Sequence, residues 1–511
     1  MKTKSIFSVW TLTAMLSMTL TACVTDDSSE GGNTIPQLNV KGADSDEMTT
    51  YNFYLGNDCV ISPDITYSGG NEENLKYSWK IGTMANGLMG KLEEVSNERD
   101  LKYTFTSGGT YYAHFTVSDG LVGKAVNYRI NINRTFEEGY LLTSTDADGK
   151  GNLAFVKILT PEEVAEGQKQ VVIEHSLETM NEGYSEQGLL SAVVGTVTWP
   201  KTIKRVLVST DKHCYVVDPN NFTVITDIKY EDLYPGFKAT HFMPDSYTPW
   251  AYDSSTKKFA HINLTYMFPY EYQYYKGCNA EDFVTCKYMS WGSESVYTFF
   301  NNYSQNKVAM FSSYAPYFGI DTYFPDTDNL LEGQQLITSF YGTQPGSNYI
   351  TPTYIMARDE ATGNITLWSN SADSYYYINS NFSRQDFTPT ASSAIPEKGS
   401  RLVASASYQR YYYAVGNCVY VLLTTTDFVL PEKSQYALQF GSNEEITYMD
   451  VNMKTDELYV ATYDNGSKRG NFYIYDCKDV RLDNAAAAKP KAEYKSCAGR
   501  ITNIIYKPSI Q

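Results

Sequence analysis

Residues 446–476 read ITYMDVNMKTDELYVATYDNGSKRGNFYIYD. Three runs stand out: Ile446–Val451, Glu457–Tyr463 and Gly470–Asp476, with a turn at Lys454-Thr455-Asp456 between the first two. β-Branched and aromatic residues favour pleated, half-buried surfaces, and short polar breaks between such runs join them as hairpins. The stretch is a three-strand meander. How often it recurs decides the fold.

Its counterparts lie upstream. Lys204–Ser209, a turn at Thr210-Asp211-Lys212, Cys214–Asp218 and Phe222–Ile225 form one unit. Pro249–Asp253 with Lys258–Ile262, Val296–Phe299 with Lys307–Phe311, Pro352–Ala357 with Asn364–Trp368, and Tyr411–Ala414 with Asn417–Val421 repeat it. The spacing is about 35 to 60 residues, the range of propeller blades. Small antiparallel sheets of this kind cannot stand alone and pack radially. About 370 residues at this period suggest about seven blades, with six or eight also fitting. The last strand, near Ile501–Tyr506, is expected to complete the first blade. A string of separate sandwiches is the competing layout, but no Pro/Gly/Ser linkers follow Gly139. The fold class expected is all-β: an N-terminal sandwich over 35–134 and a β-propeller-like domain over 135–511.

In the first of these, Leu75, Tyr77, Trp79 and Ile81 alternate onto one strand face. Thr110–Val117 runs to a turn at Ser118-Asp119-Gly120, and Val126–Ile132 alternates again. Short strands with Gly and Asp turns at this spacing mean a β-sandwich of roughly 100 residues. Tyr77-Ser78-Trp79, with Gly109-Thr110-Tyr111-Tyr112 and Val117-Ser118-Asp119-Gly120, resembles the PKD family of immunoglobulin-like modules. The resemblance implies a spacer or binding module with Trp79 in its core.

After the boundary at Arg134–Gly139, the run Asp146–Asn152 looks like the start of a calcium loop. The acidic ligand that closes such a loop falls at its twelfth position; here that residue is Lys157, a cation, so the run reads as a hairpin turn into Leu153–Val156. Pro161–Glu166 is the one helix expected, with Thr160 as N-cap, proline in the first turn and acidic residues beside the N-terminus.

The chain begins MKTKSIFSVWTLTAMLSMTLTAC, residues 1–23. Lys2 and Lys4 precede an apolar run, Ile6–Leu20, too short for a mature membrane span, and the form is that of a secretory signal peptide. Leu20-Thr21-Ala22-Cys23 resembles the lipobox of bacterial lipoproteins. That implies removal of residues 1–22 and lipidation of Cys23. Residues 23–34 are small, polar and acidic and read as a flexible tether. Asp26 and Asp27 in it resemble the surface-export signal of Bacteroidetes lipoproteins.

The chain carries 511 residues and a formal net charge of -17, which repels phosphate backbones and argues against nucleic acid as a partner. Removing Cys23 leaves seven cysteines, an odd number, so at least one thiol is unpaired in an exported protein. Cys278 with Cys286 and Cys477 with Cys497 are candidate pairs; buried thiols are the equal alternative. The five histidines are scattered singly, and neither metal spacing, a nucleophile elbow nor a P-loop is present. No catalytic residue, metal ligand or cofactor site is therefore assigned.

With 45 tyrosines, most rings belong to strands. Three aromatic-rich insertions remain as binding candidates: Met267–Tyr275, with Tyr272, Tyr274 and Tyr275; Tyr314–Asp326, with Tyr317 and Tyr323; and Ser374–Ile378, with Tyr376. Rings at a channel mouth stack on sugars or grip peptides; rings covering the domain's own surface are the alternative.

The whole layout resembles the PKD-like family lipoproteins of Bacteroidetes. The resemblance implies an outer-membrane, surface-exposed, lipid-anchored protein that binds a nutrient, peptide or glycan, as accessory to a SusC/SusD-type importer. A propeller hydrolase or lyase acting on the same polymer, marked by facing carboxylates in the channel mouth, is one alternative. A scaffold for partner lipoproteins, marked by a large exposed apolar patch, is another.

Overall fold

The computed structural model describes residues 35–510 except 46, 55–57, 86–87, 106–107, 134–135, 166, 198–200, 246–248, 272–280, 291–292, 313–329, 343–351, 372–381, 425–426 and 483–487. The chain divides after Asn133 into two units.

In the first unit, Lys76–Ala85, Gly109–Ser118 and Gly123–Asn133 pair antiparallel, and Thr49–Tyr54 extends the sheet parallel to the last of them. Two short pairs complete the sandwich: Leu38–Val40 with Ile65–Tyr67, and Asp58–Ile61 with Leu101–Thr104. Alternation turns Leu75, Tyr77, Trp79 and Ile81 into one core with Phe115, Val117, Tyr128 and Ile130. Trp79 is fully buried, its ring 4.5 Å from Phe115 and 5.7 Å from Tyr128. Its Nε1 donates to the Glu98 carbonyl at 3.1 Å, satisfying the one polar atom that burial would strand.

The second unit is a ring of seven small antiparallel sheets. Blade 2 shows the plan: Leu189–Val197 innermost, then Ile203–Thr210, His213–Val217 and Val224–Lys229. Blade 3 starts from His241–Met243, blade 4 from Asp282–Ser290, blade 5 from Gln334–Tyr341, blade 6 from Val403–Ala404 and blade 7 from Glu444–Asn452. Blade 1 is built from both ends of the unit: Gly139–Thr145, Gly151–Lys157 and Val172–Ile173 follow one another, and the C-terminal Arg500–Lys507 is innermost. Each innermost strand neighbours the next, and that of blade 7 returns to Arg500–Lys507. The architecture is a seven-bladed β-propeller closed by its last strand, as the tail Ile501–Tyr506 leads one to expect.

Seven of the turns share one local device. An Asp or Asn ends a strand or directly follows it, and the residue four places later has positive φ: Asp218 and Phe222, Asp253 and Lys257, Asn263 and Met267, Asn302 and Asn306, Asp359 and Gly363, Asn452 and Asp456, Asp464 and Lys468. The carboxylate or amide oxygen accepts backbone N–H groups inside the turn, as Asp359 does from Ala361 and Thr362 at 3.1 and 2.8 Å. The left-handed residue then closes on the first carbonyl, Gly363 to Asp359 at 2.9 Å and Lys468 to Asp464 at 2.8 Å. Asp and Asn initiate such turns because their side chains mimic a backbone acceptor.

The core lies between blades. Tyr411, Tyr412 and Tyr413 are consecutive and all buried. Tyr411 and Tyr413 pack toward blade 5, and Tyr412 toward blade 7. A central strand covered on both faces is apolar throughout rather than alternating. Their hydroxyls end on Tyr354 Oη, the Cys477 carbonyl and the Ala394 carbonyl, so each ring is buried with its polar tip satisfied.

Asp146–Lys150 forms the hairpin turn, with the Asp146 N–H donating to the Lys150 carbonyl at 2.8 Å. Lys157 is buried and pairs with Glu163. The helix spans Pro161–Ala165; Thr160 Oγ1 accepts from the Glu163 N–H and Glu163 Oε2 from the Thr160 N–H, a capping box. A second short helix, Ser176–Met180, was not expected from the sequence. Cys59 is buried, and Cys214, Cys418, Cys477 and Cys497 are buried free thiols, so Cys477 and Cys497 are not bridged. Cys278 lies outside the described residues.

Candidate functional site

Ring closure leaves a cavity of about 510 Å³ along the propeller axis. The innermost strands of blades 1, 2, 3, 4 and 7 line it, together with Arg401, which precedes the innermost strand of blade 6. A polar group is placed there by strand alternation. In Tyr448-Met449-Asp450-Val451-Asn452, Met449 and Val451 are buried in the core toward blade 6, while Tyr448, Asp450 and Asn452 occupy the other face.

Arg401 and Asp450 form the centre of the site. Arg401 Nη2 lies 3.5 Å from Asp450 Oδ1, and its guanidinium sits 4.7 Å from the centre of the Tyr448 ring. The Tyr448 hydroxyl donates to Asp450 Oδ2 at 3.3 Å, and Asp450 Oδ1 accepts the Val451 N–H at 2.9 Å. Asp450 is only 6% exposed. A carboxylate at that depth needs such partners, since desolvating an unpaired charge costs several kcal/mol. Arg401 is thereby fixed in direction by a carboxylate and a ring face at once.

Around this pair the lining offers hydrogen-bonding groups and two lysines, Lys204 and Lys454. Asn503 Nδ2 donates to Ser191 Oγ at 2.7 Å, joining blades 1 and 2, and Asn452 Nδ2 donates to the Tyr459 hydroxyl at 2.9 Å. Lys204 Nζ donates to Thr196 Oγ1 at 2.6 Å. His241, with Nδ1 2.9 Å from Thr240 Oγ1, packs against Phe283 at 4.9 Å. Burial lowers its imidazole pKa, against an opposing pull from Asp282, so it is neutral near pH 7. Among the described lining residues Asp450 is the one carboxylate.

The sequence-derived candidates Tyr272, Tyr274, Tyr275, Tyr317, Tyr323 and Tyr376 lie outside the described residues, as does Cys23. The first aromatic insertion begins as structure: Phe268–Glu271 is the outermost strand of blade 3, paired with Lys258–Asn263. Arg401 and Asp450 were missed as site residues. The signal for Asp450 was its place between Tyr448 and Asn452 on one face of an otherwise apolar strand; Arg401, in Gly399-Ser400-Arg401-Leu402, carries no comparable signal.

No protein-family model matches the chain, and no curated protein matches it significantly. Among solved structures it is similar to a quinonprotein alcohol dehydrogenase-like protein from Bacteroides thetaiotaomicron, at 14% identity over 92% of this chain and 99% of that one, with a TM-score of 0.43. Hydrazine synthase from Kuenenia stuttgartiensis matches at 11% identity over 66% and 96%, with a TM-score of 0.37. Apo AztD from Citrobacter koseri matches at 10% identity over 73% and 100%, with a TM-score of 0.34. These superpositions are weak, and the propeller is established here by the chain's own strand pairing.

Proposed function

We propose that this chain is a lipid-anchored binding protein of the outer membrane, displayed at the cell surface, whose propeller channel takes a nutrient, peptide or glycan, for a SusC/SusD-type importer. The observation that carries the binding reading is the channel itself: a cavity of about 510 Å³ with an Arg401–Asp450–Tyr448 cluster at its wall. Preformed cavities of this size, with a few fixed polar groups, are typical small-molecule sites. Location and partner rest on the lipobox-like Leu20–Cys23, the acidic tether and the order of domains along the chain. The hydrolase alternative requires an acid–base pair of carboxylates, which the described lining does not supply.

Two outcomes are expected. Cys23→Ser releases the chain from the membrane fraction and abolishes palmitate labelling; an unchanged membrane fraction contradicts the anchor. The soluble form beginning after Cys23, screened against peptide and glycan pools, binds a component without consuming it. Product formation contradicts the binding reading in favour of an enzyme, and neither binding nor turnover favours a scaffold.

A further inference from the structure

The whole chain is acidic, with 58 Asp and Glu against 41 Lys and Arg, yet the described channel lining reverses that balance. It holds three cations, Lys204, Arg401 and Lys454, against the single carboxylate of Asp450. His241, neutral through burial, adds no charge. The cations are not scattered. Lys204 pairs with Thr196, next to the end of the innermost strand of blade 2, and Lys454 follows the end of that of blade 7. Innermost strands in a ring of like meanders run the same way, so both lysines belong to one mouth of the channel, on the blades flanking blade 1. Arg401 lies further in.

We propose that the channel binds a carboxylate-bearing saccharide, with the two lysines drawing the anion into that mouth and Arg401 meeting it inside. This deepens the reading that the channel is a ligand site and rests on it. A cleft of one sign with low-dielectric walls focuses its field and raises the local concentration of the opposite ion. Arg401 is the more specific element: its planar fork, fixed by the Tyr448 face and by Asp450, matches a carboxylate in two parallel hydrogen bonds. Ser191, Thr240, Asn452 and Asn503 are neutral hydrogen-bonding groups suited to ring hydroxyls. Cations alone would serve any anion; cations among hydroxyls and amides favour a hydroxyl-rich one.

The test is calorimetric titration of the detergent-solubilised full chain with digalacturonate, its neutral counterpart galactobiose, and the acidic dipeptide Glu-Glu. Digalacturonate binds at least about tenfold more tightly than the other two, and its affinity falls as salt is raised, because exposed charges are screened within about 10 Å at 0.1 M. Lys204→Gln with Lys454→Gln brings digalacturonate down to the level of galactobiose, with the double variant still unfolding in one cooperative transition. Equal or tighter binding of galactobiose, tighter binding of Glu-Glu, no binding of digalacturonate, or a double variant that binds digalacturonate as the parent does overturns the proposal. In each of those cases a hit from the peptide and glycan pools keeps the channel as a ligand site. If the pools yield nothing, the channel reading itself fails.

Discussion

Ending the chain at Gly499 is expected to abolish the cooperative unfolding transition of the propeller. The deletion removes Arg500–Lys507, the innermost strand of blade 1, and leaves Gly139–Thr145 with an open edge. It also removes Ile501, Ile504 and Ile505, which are 0%, 1% and 9% exposed and pack against blade 7 and blade 2. Burying a branched aliphatic side chain contributes about 2 kcal/mol, so the three together are on the order of 6 kcal/mol, comparable with the 5–15 kcal/mol that holds a typical domain folded. Two polar ties go with them: Thr143 to Thr502 at 3.1 Å, and the buried Lys507 ammonium on the Phe136 and Glu137 carbonyls at 2.5 Å. The sandwich has a core of its own and should survive. Limited proteolysis checks both halves of this: the truncated chain yields a resistant fragment ending near Asn133 and no resistant propeller, whereas two resistant fragments would refute closure by the last strand.

The second large effect is acid destabilisation centred on blade 3. His261 is 4% exposed, its ring 4.3 Å from that of Trp250, and burial draws its imidazole down from 6.5 to about 3. The native state therefore stays unprotonated there while the unfolded chain takes up a proton near pH 6.5. The stability this contributes is complete above about pH 6.5 and is lost as the pH falls toward 3, at up to about 1.4 kcal/mol per unit. His241 acts in the same direction. Glu174 and Glu178, whose pairing outweighs their desolvation and lowers their pKa values, add a loss of their own below about pH 4.5. Glu186 opposes it: burial raises its carboxyl pKa, so the native state is the better proton acceptor as the pH falls through that range. His261→Phe keeps a ring against Trp250 and removes the titration. Melting temperature measured from pH 7 to 4.5 should fall less steeply in the variant than in the parent. Parallel curves would show that His261 does not carry the effect.

The fold was legible where local chemistry and topology agree. In 446–476 each strand ends on Asp or Asn, each turn is polar, and the tail at 500–507 is a single strand with no meander of its own, so it had to complete a blade elsewhere. The parallel edge strand Thr49–Tyr54 of the sandwich was not legible, because period-two alternation marks a strand but not its direction. Nor was the burial of Tyr411-Tyr412-Tyr413, since three rings in a row look alike whether they face a ligand or two neighbouring blades. The site was harder still. Arg401 and Asp450 sit in different blades and meet only because the innermost strands of blades 6 and 7 lie side by side. Nothing local to Arg401 predicts a carboxylate across that gap. The aromatic insertions, by contrast, are conspicuous in composition.

The most direct test of the account is hydrogen exchange of the soluble form with and without the pool component that binds it. Occupation of the channel predicts slowed exchange in peptides covering Tyr448–Lys454 and Thr502–Pro508, with the sandwich at 35–133 unchanged. Protection confined to the sandwich, or to outer strands such as Val224–Lys229 and Phe268–Glu271, would contradict a ligand site on the propeller axis.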